Sequence, residues 1–345
     1  MQDAAKQDAN PPAPPATRRR VLRMAAAAGL TMPFLGRGAQ AAIAWTIFST
    51  QVNPASAVAR GLRRMSDLVR ERSGGALLIK VRTAGLLPID ANQVLEAVAN
   101  GKVELGDNSS HAGMAPASAI MRLPMLATTP ADWDRMAAVV RPKLSDDLER
   151  RGVVLLAHYR SALQLFWSQK KAGGFIDIAR QRLRVQSVEQ SEFVRHFGGL
   201  HLITSTVEAG EALAAGKLDG TFGTAFLAGR MWKAWLKHVY LAGPNYNDAV
   251  IVAGRAAMER LPEGVASVLA AAAADAASWI ARTQDAEELQ LLSGLRGDGL
   301  TITLANSGDV LEATSKLPAF WDNWVRLRGS EIENLLATIR QDLDR

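Results

Sequence analysis

Arg180, Arg182 and Arg184 recur at every second position in the stretch Arg-Gln-Arg-Leu-Arg-Val. In an extended strand this spacing puts Arg182 and Arg184 on one face and Leu183 on the other. A guanidinium is a planar fork of donors that pairs with a carboxylate at two points. In a closed, dry cleft such a pair is selective, because water does not replace it cheaply. The chemistry on offer is pairing with a carboxylate. The competing reading is an edge strand with solvated arginines, and spacing alone does not choose between Arg182 and Arg184.

Other reactive residue types are sparse. The five histidines, His111, His158, His196, His201 and His238, show no H-x-x-x-H or H-E-x-x-H spacing, so no metal site is expected. The chain has no cysteine, which excludes disulfides, thiol catalysis and Cys-ligated metals. No G-x-G-x-x-G or G-K-[ST] loop occurs, and no Ser/His/Asp signature, so no cofactor is expected and the protein is not read as an enzyme. Trp232 and Trp235 flank Lys233. An aromatic at a cleft mouth stacks on ligand, whereas the commoner role is packing a helix onto its sheet.

The elements that must position these groups alternate. Residues 43–48 form an apolar run, 55–72 carry Val58, Leu62, Met65, Leu68 and Val69 at helical spacing, and 77–81 form another apolar run. Strand, helix, strand is the pattern of a parallel α/β sheet. It continues with a helix over 90–100, a strand over 102–106, a helix over 131–149 and a strand over 153–157. Strands over 183–185 and 251–253 follow, with helices over 189–197 and 207–215 between them. Residues 262–295 form one long alanine-rich helix, 300–304 a late strand and 309–341 a helical end. Asn245-Tyr246-Asn247-Asp248 is a candidate hinge or pocket segment.

The N-terminus filters the functional classes. Arg18 and Arg19, followed by Arg20, Val21 and Leu22, precede the mild apolar run Met24–Leu35 and then Ala39-Gln40-Ala41. This is the layout of a twin-arginine export signal with its cleavage site. The run is only twelve residues long, too short for a spanning helix of about 20. Residues 1–41 are therefore expected to be removed, after passage through the twin-arginine translocase to the periplasm. They hold six basic residues against two acidic ones, so of the formal net charge of +6 only +2 remains for the mature chain. A nucleic-acid partner loses its main support.

Several spaced motifs resemble one family. Ser73-Gly74-Gly75 with Leu77–Val81, then Val94-Leu95-Glu96-Ala97-Val98 through Gly101 and Gly106, resemble the solute-binding proteins of TRAP transporters, the DctP-type family. Leu123-Pro124-Met125-Leu126, Asp177 through Val185, and Glu208 through Asp219-Gly220 resemble that family's later segments in order. The resemblance implies an α/β type II periplasmic-binding-protein fold. Two α/β lobes would enclose a cleft, joined by hinge strands and a long linking helix. The expected division is 42–160 plus 249–290 for lobe I, and 161–248 plus 291–345 for lobe II.

The resemblance also implies a small organic acid as ligand, a TRAP membrane permease as partner and Arg184 as the cleft arginine. Gln164 stands where many members carry a second cleft arginine, and Arg160 is a possible substitute. Gln51, Ser109 and Ser110 fall at cleft positions of the first turn and third strand, where ordinary turn polarity is the alternative. Thr221-Phe222-Gly223-Thr224 replaces a more polar family segment, which makes Phe222 a candidate apolar contact, with Trp232 at the mouth. A ligand-sensing domain for a membrane receptor and a twin-arginine-exported enzyme are the alternative functions.

Overall fold

The computed structural model describes residues 42–345. The expected export signal over 1–41 lies outside them. The described chain builds two sheets with helices packed on both.

The first sheet begins with β1 (Ile43–Ser49) and β2 (Leu77–Arg82), which pair in parallel. Between them runs α1 (Ala57–Arg72), started by Ser56, whose hydroxyl accepts from the Ala59 N–H at 3.2 Å. Val58, Leu62, Met65 and Val69 of α1 are buried at helical spacing. Gly74 and Gly75, at φ 61° and 81°, turn the chain back. β3 (Leu105–Asn108) lies parallel to β1 on its other side. It begins three residues after the expected 102, and α2 (Val94–Ala99) is shorter than expected. α3 (Pro130–Glu149) starts on a capping box between Thr129 and Asp132.

β4 (Val153–Leu163) and β10 (Tyr246–Gly254) complete this sheet in the order β2-β1-β3-β10-β4. Both are longer than the apolar runs that marked them. β10 is antiparallel to both β3 and β4, which corrects the expectation of a parallel sheet. The polar residues His158, Arg160 and Asp248 lie inside these strands, so the buried segment does not read as a continuous apolar run.

The chain leaves the first sheet at Leu163 and enters β5 (Leu165–Ser168) of the second. It returns at Tyr246. The two crossings run side by side: the Gln164 N–H donates to the Asn245 carbonyl at 3.0 Å, and the Phe166 N–H to the Ala242 carbonyl at 3.1 Å. Between them lie β6 (Arg182–Val185), α4 (Val188–His196), β7 (Leu200–Ile203), α5 (Thr206–Ala214), β8 (Gly220–Gly223) and β9 (His238–Tyr240). With β11 (Thr301–Thr303) the second sheet has the order β11-β9-β5-β8-β6-β7. β6 is parallel to β7 and β8, while β5 is antiparallel to β8 and β9.

α6 (Glu263–Gly297) is a single helix of 35 residues. Its first half buries Leu269, Ala272, Ala273, Ala276 and Ile280 with α1 and the first sheet. Its end places Leu292 and Leu295 with Trp167 and Leu213 of the second-sheet core. The expected long linking helix is thus present. α7 (Ser307–Lys316), α8 (Pro318–Arg326) and α9 (Ser330–Leu343) end the chain. The Trp324 indole donates to Glu189 at 2.9 Å, beside the second sheet. α9 folds back on α3, and Arg345 donates to the Met125 carbonyl at 2.7 Å and to Asp132 at 2.9 Å.

Candidate functional site

A cavity of about 1130 Å³ is walled by the turn after β1 (Gln51, Ser56), the β4 end (Ser161, Ala162), the segment after β8 (Thr224, Phe226) and α6 (Glu288, Leu291). Each wall has a local cause. Ser56 caps α1. Thr224 caps the π-helical turn Ala225–Met231, its hydroxyl accepting from Leu227 N–H at 3.1 Å. The Glu288 carboxylate accepts from the N–H groups of Ala225 and Phe226, tying α6 to that turn. Burial raises the Glu288 pKa despite those two bonds.

Arg184 sits on β6, paired in the ladder with Thr221 of β8. It does not line the open cavity itself. It lies toward the carboxyl ends of the parallel strands, the side on which open α/β sheets bind ligands, and the β8 end runs on to Thr224 of the cavity wall. Arg184 is 6% exposed. Its Nε donates to the Thr204 carbonyl at 3.2 Å, and its Nη1 is buried with no partner. No carboxylate faces it among the described residues. Burial draws the guanidinium down from 12.5 to about 10. Arg182, the alternative of equal spacing, is already bound: its Nε donates to Asp219 at 2.9 Å, and it also bonds the Gly216 carbonyl. The Arg182 bonds hold the Asp219 carboxyl far below its usual range.

Gln164 is buried in the first crossing, and its Nε2 donates to the Ala162 carbonyl at 3.1 Å. Its Oε1 accepts from Gln186 at 2.7 Å. Gln186, two residues after Arg184, also donates to the Phe222 carbonyl at 3.4 Å. Gln190 continues the chain of amides, donating to Asn245 at 3.0 Å. Gln186 and Gln190 carried no motif in the sequence. The available signal was the two-residue step from Arg184 along the strand, and the serine-capped start of α4 after it.

The remaining expected residues scatter. Arg160 is buried in a bidentate pair with Asp285 of α6, at 2.8 and 2.5 Å, and stacks 5.0 Å over the Tyr246 ring. Its charge is matched within the protein. Gln51 lines the cavity. Ser109 and Ser110 are exposed after β3, where the Ser109 carbonyl accepts from Arg122 at 2.6 Å. The Phe222 ring is fully buried against Phe166 and Phe193, so what it turns toward Gln186 is its carbonyl. Trp232 is 3% exposed and packs in the second-sheet core, with Trp235 half-buried beside it.

Tertiary structure gathers two histidines that lie 47 positions apart in the chain. His111 and His158 both bring Nε2 to one oxygen of Asp248, at 3.1 and 2.9 Å, with all three side chains fully buried. Their donor atoms lie within 4.8 Å of one another, so the geometry gives a candidate set of cation ligands that linear spacing did not reveal. An imidazole with its proton on Nε2 donates there to the Asp248 carboxylate, while His111 Nδ1, His158 Nδ1 and Asp248 Oδ1 are buried with no hydrogen-bond partner among the described residues. Burial alone would raise Asp248, but the two histidines hold it well below the usual carboxylate range. Burial lowers His158 despite Asp248. Nearby, burial raises Asp107, against the bonds it accepts from Ser49 and Tyr159.

Two α/β sheets, joined by paired crossing strands and one long helix, with a cavity where those connections meet, make a two-lobe binding-protein architecture. The sequence model of the bacterial extracellular solute-binding proteins, family 7, matches residues 48–326, and the chain belongs to that family. No curated protein matches the sequence. Among solved structures, an extracytoplasmic solute receptor of Bordetella pertussis that binds pyroglutamic acid is similar at TM-score 0.74 and 22% identity, over 87% of this chain and 100% of that one. A TRAP periplasmic solute-binding protein from Ochrobactrum anthropi reaches TM-score 0.80 at 19% identity, over 87% and 95%. One from Chromohalobacter salexigens with bound D-glucuronate gives 0.76 at 18%, over 86% and 99%. The fold is that of the TRAP solute-binding proteins.

Proposed function

We propose that the protein captures a small organic acid in the periplasm and delivers it to a TRAP membrane permease, without catalysis. The observation that carries this reading is Arg184: a buried guanidinium with an unpartnered Nη1 and no carboxylate opposite it. A buried unpaired charge is costly in a resting protein. It is accounted for when an incoming carboxylate completes the fork. The lobes proposed are 42–160 plus 249–290, and 161–248 plus 291–345, with the last helix folded back onto the first. They close on the ligand about the crossings at Gln164 and Asn245. The pyroglutamate and glucuronate bound by proteins of the same fold are carboxylates of suitable size for trial. Passage through the twin-arginine translocase, with loss of residues 1–41, belongs to the same reading.

A thermal-shift screen of the mature protein against small carboxylates tests it. A binder at 100 times its dissociation constant stabilises by about 2.7 kcal/mol. Small-angle scattering with that binder should show a smaller radius of gyration. A screen in which no organic acid stabilises the protein, or an unchanged scattering profile with a tight ligand, sinks the reading.

A further inference from the structure

We infer that the outer edge of β7 is a self-association surface, on which a second copy of this chain continues the second sheet across a two-fold axis. This goes beyond the proposed function and does not depend on it.

β7 is the last strand of its sheet and pairs only with β6. The Leu200 N–H donates to the Gln181 carbonyl at 2.8 Å, and the Thr204 carbonyl accepts from Arg184 of β6 at 3.2 Å. The backbone groups of Leu200, Leu202 and Thr204 therefore point toward β6. Direction alternates along a strand, so those of His201 and Ile203 point outward. They make no hydrogen bond among the described residues.

The side chains of this edge are mostly apolar. Leu200, Leu202 and Ile203 are 62, 48 and 53% exposed, and Val207 just beyond them is 72% exposed. From Phe197 to Val207 there is no Lys, Arg, Asp, Glu or Pro. An edge that stays single is normally blunted by such residues, kept short or covered. The other edges of the two sheets follow that rule. β2 carries Lys80 and Arg82, β4 packs against α6 and is tied to it by Arg160 and Asp285, and β11 is three residues long with threonine at both ends.

A second β7 fits this edge in a self-complementary register. With the strands antiparallel about a two-fold axis, His201 of each copy stands opposite Ile203 of the other, and each such pair exchanges both of its N–H···O bonds. Leu202 then meets Leu202 on the axis, and Leu200 meets Thr204. The charges at the two ends match as well. Arg180, exposed and without an ion pair among the described residues, lies before β7, its N–H on the Gly198 carbonyl at 2.8 Å. Glu208, also exposed, lies after it and caps α5 through the Ser205 N–H. Antiparallel pairing lays the basic end of one strand against the acidic end of the other, on both sides of the axis. An unrelated strand would satisfy the backbone alone, whereas register and end charges together select a second copy. A short strand with one flanking valine makes an interface at the small end of the range, so the dimer should form at micromolar concentrations.

Sedimentation equilibrium of the purified protein from about 1 μM to 1 mM tests this. The weight-average mass should rise from one chain toward two and stop there, because an isologous contact closes on itself. The amides of His201 and Ile203 should exchange hydrogen more slowly at the high end of the series than at the low end. Leu202→Lys sets two cations on the axis, and Ile203→Pro removes an outward N–H that the single chain does not use; each should raise the dissociation constant by about tenfold or more. Arg180→Glu should raise it by about threefold, an effect that fades at high salt. Leu86→Lys, at an exposed leucine after β2, should leave it unchanged. Circular dichroism checks the fold of each variant, and the wild-type mass and exchange series decide the matter even if one fails to fold. A protein that stays monomeric throughout, grows past the dimer, shows no slowing at His201 and Ile203, or dimerises undiminished in both folded β7 variants overturns the inference. None of these results touches the organic-acid function.

Discussion

Arg184→Met should stabilise the ligand-free protein and abolish its response to ligand. Met has nearly the length of the arginine stem and carries no charge. The guanidinium is drawn from 12.5 to about 10 by burial, which at about 1.4 kcal/mol per pKa unit corresponds to a cost of about 3 kcal/mol. Removing the side chain also removes its bond to the Thr204 carbonyl, with a net contribution of about 1 kcal/mol. The balance is a gain of about 2 kcal/mol. For a chain of this size that raises the melting temperature by roughly 4 °C. Under the proposed function a ligand carboxylate would also lose the cation that pairs with it. Truncating one partner of such a pair costs about 2–5 kcal/mol, a weakening of roughly thirtyfold to several thousandfold. The assay is differential scanning calorimetry on protein stripped of ligand by refolding from guanidinium chloride, with titration of the best binder. Lower apo stability in Arg184→Met, or an undiminished ligand-induced shift, would refute the reasoning.

Stability should fall with acid in two stages. Burial keeps the folded His158 below its ordinary 6.5, so the unfolded chain takes up the proton first and stability is lost as pH falls below about 6.5. Asp248, held well below 3.8 by the two histidines, contributes stability that is present above about pH 4 and lost on further acidification. Urea midpoints measured from pH 7.5 to 2.5 should decline accordingly, and His158→Gln should remove the first stage; a flat profile between 7.5 and 5 contradicts this. Gly220→Ala should collapse the second sheet, because a Cβ there would lie on the Trp167 carbonyl; soluble expression with native circular dichroism would show that β5 and β8 can separate at little cost. Arg18→Lys with Arg19→Lys should block export and leave the precursor in the cytoplasm, as followed by fractionation and N-terminal sequencing; a periplasmic protein beginning at Met1 would argue against cleavage.

The chain by itself determined its α/β class, the order of its larger elements and the long helix, expected over 262–295 and found over Glu263–Gly297, while only the family resemblance pointed to Arg184. Those features are local: helical spacing in α1, alanine richness in α6 and Gly74-Gly75 at a turn all act within a few residues of one another. Strands β5, β7, β8 and β9, of three or four residues each, went unseen, β8 being bounded by glycines at both ends. The direction of β10 was equally hidden, since antiparallel pairing is decided by the partner strand and not by the apolar run. Only tertiary structure separated Arg184 from Arg182 and Arg160. Charge pairing is a matter of what lies opposite, and Asp219 and Asp285 stand 37 and 125 positions away from the arginines they neutralise. The same holds for His111, His158 and Asp248, which three distant segments bring onto one carboxylate oxygen. Composition supplied the charges, and folding decided which of them cancel.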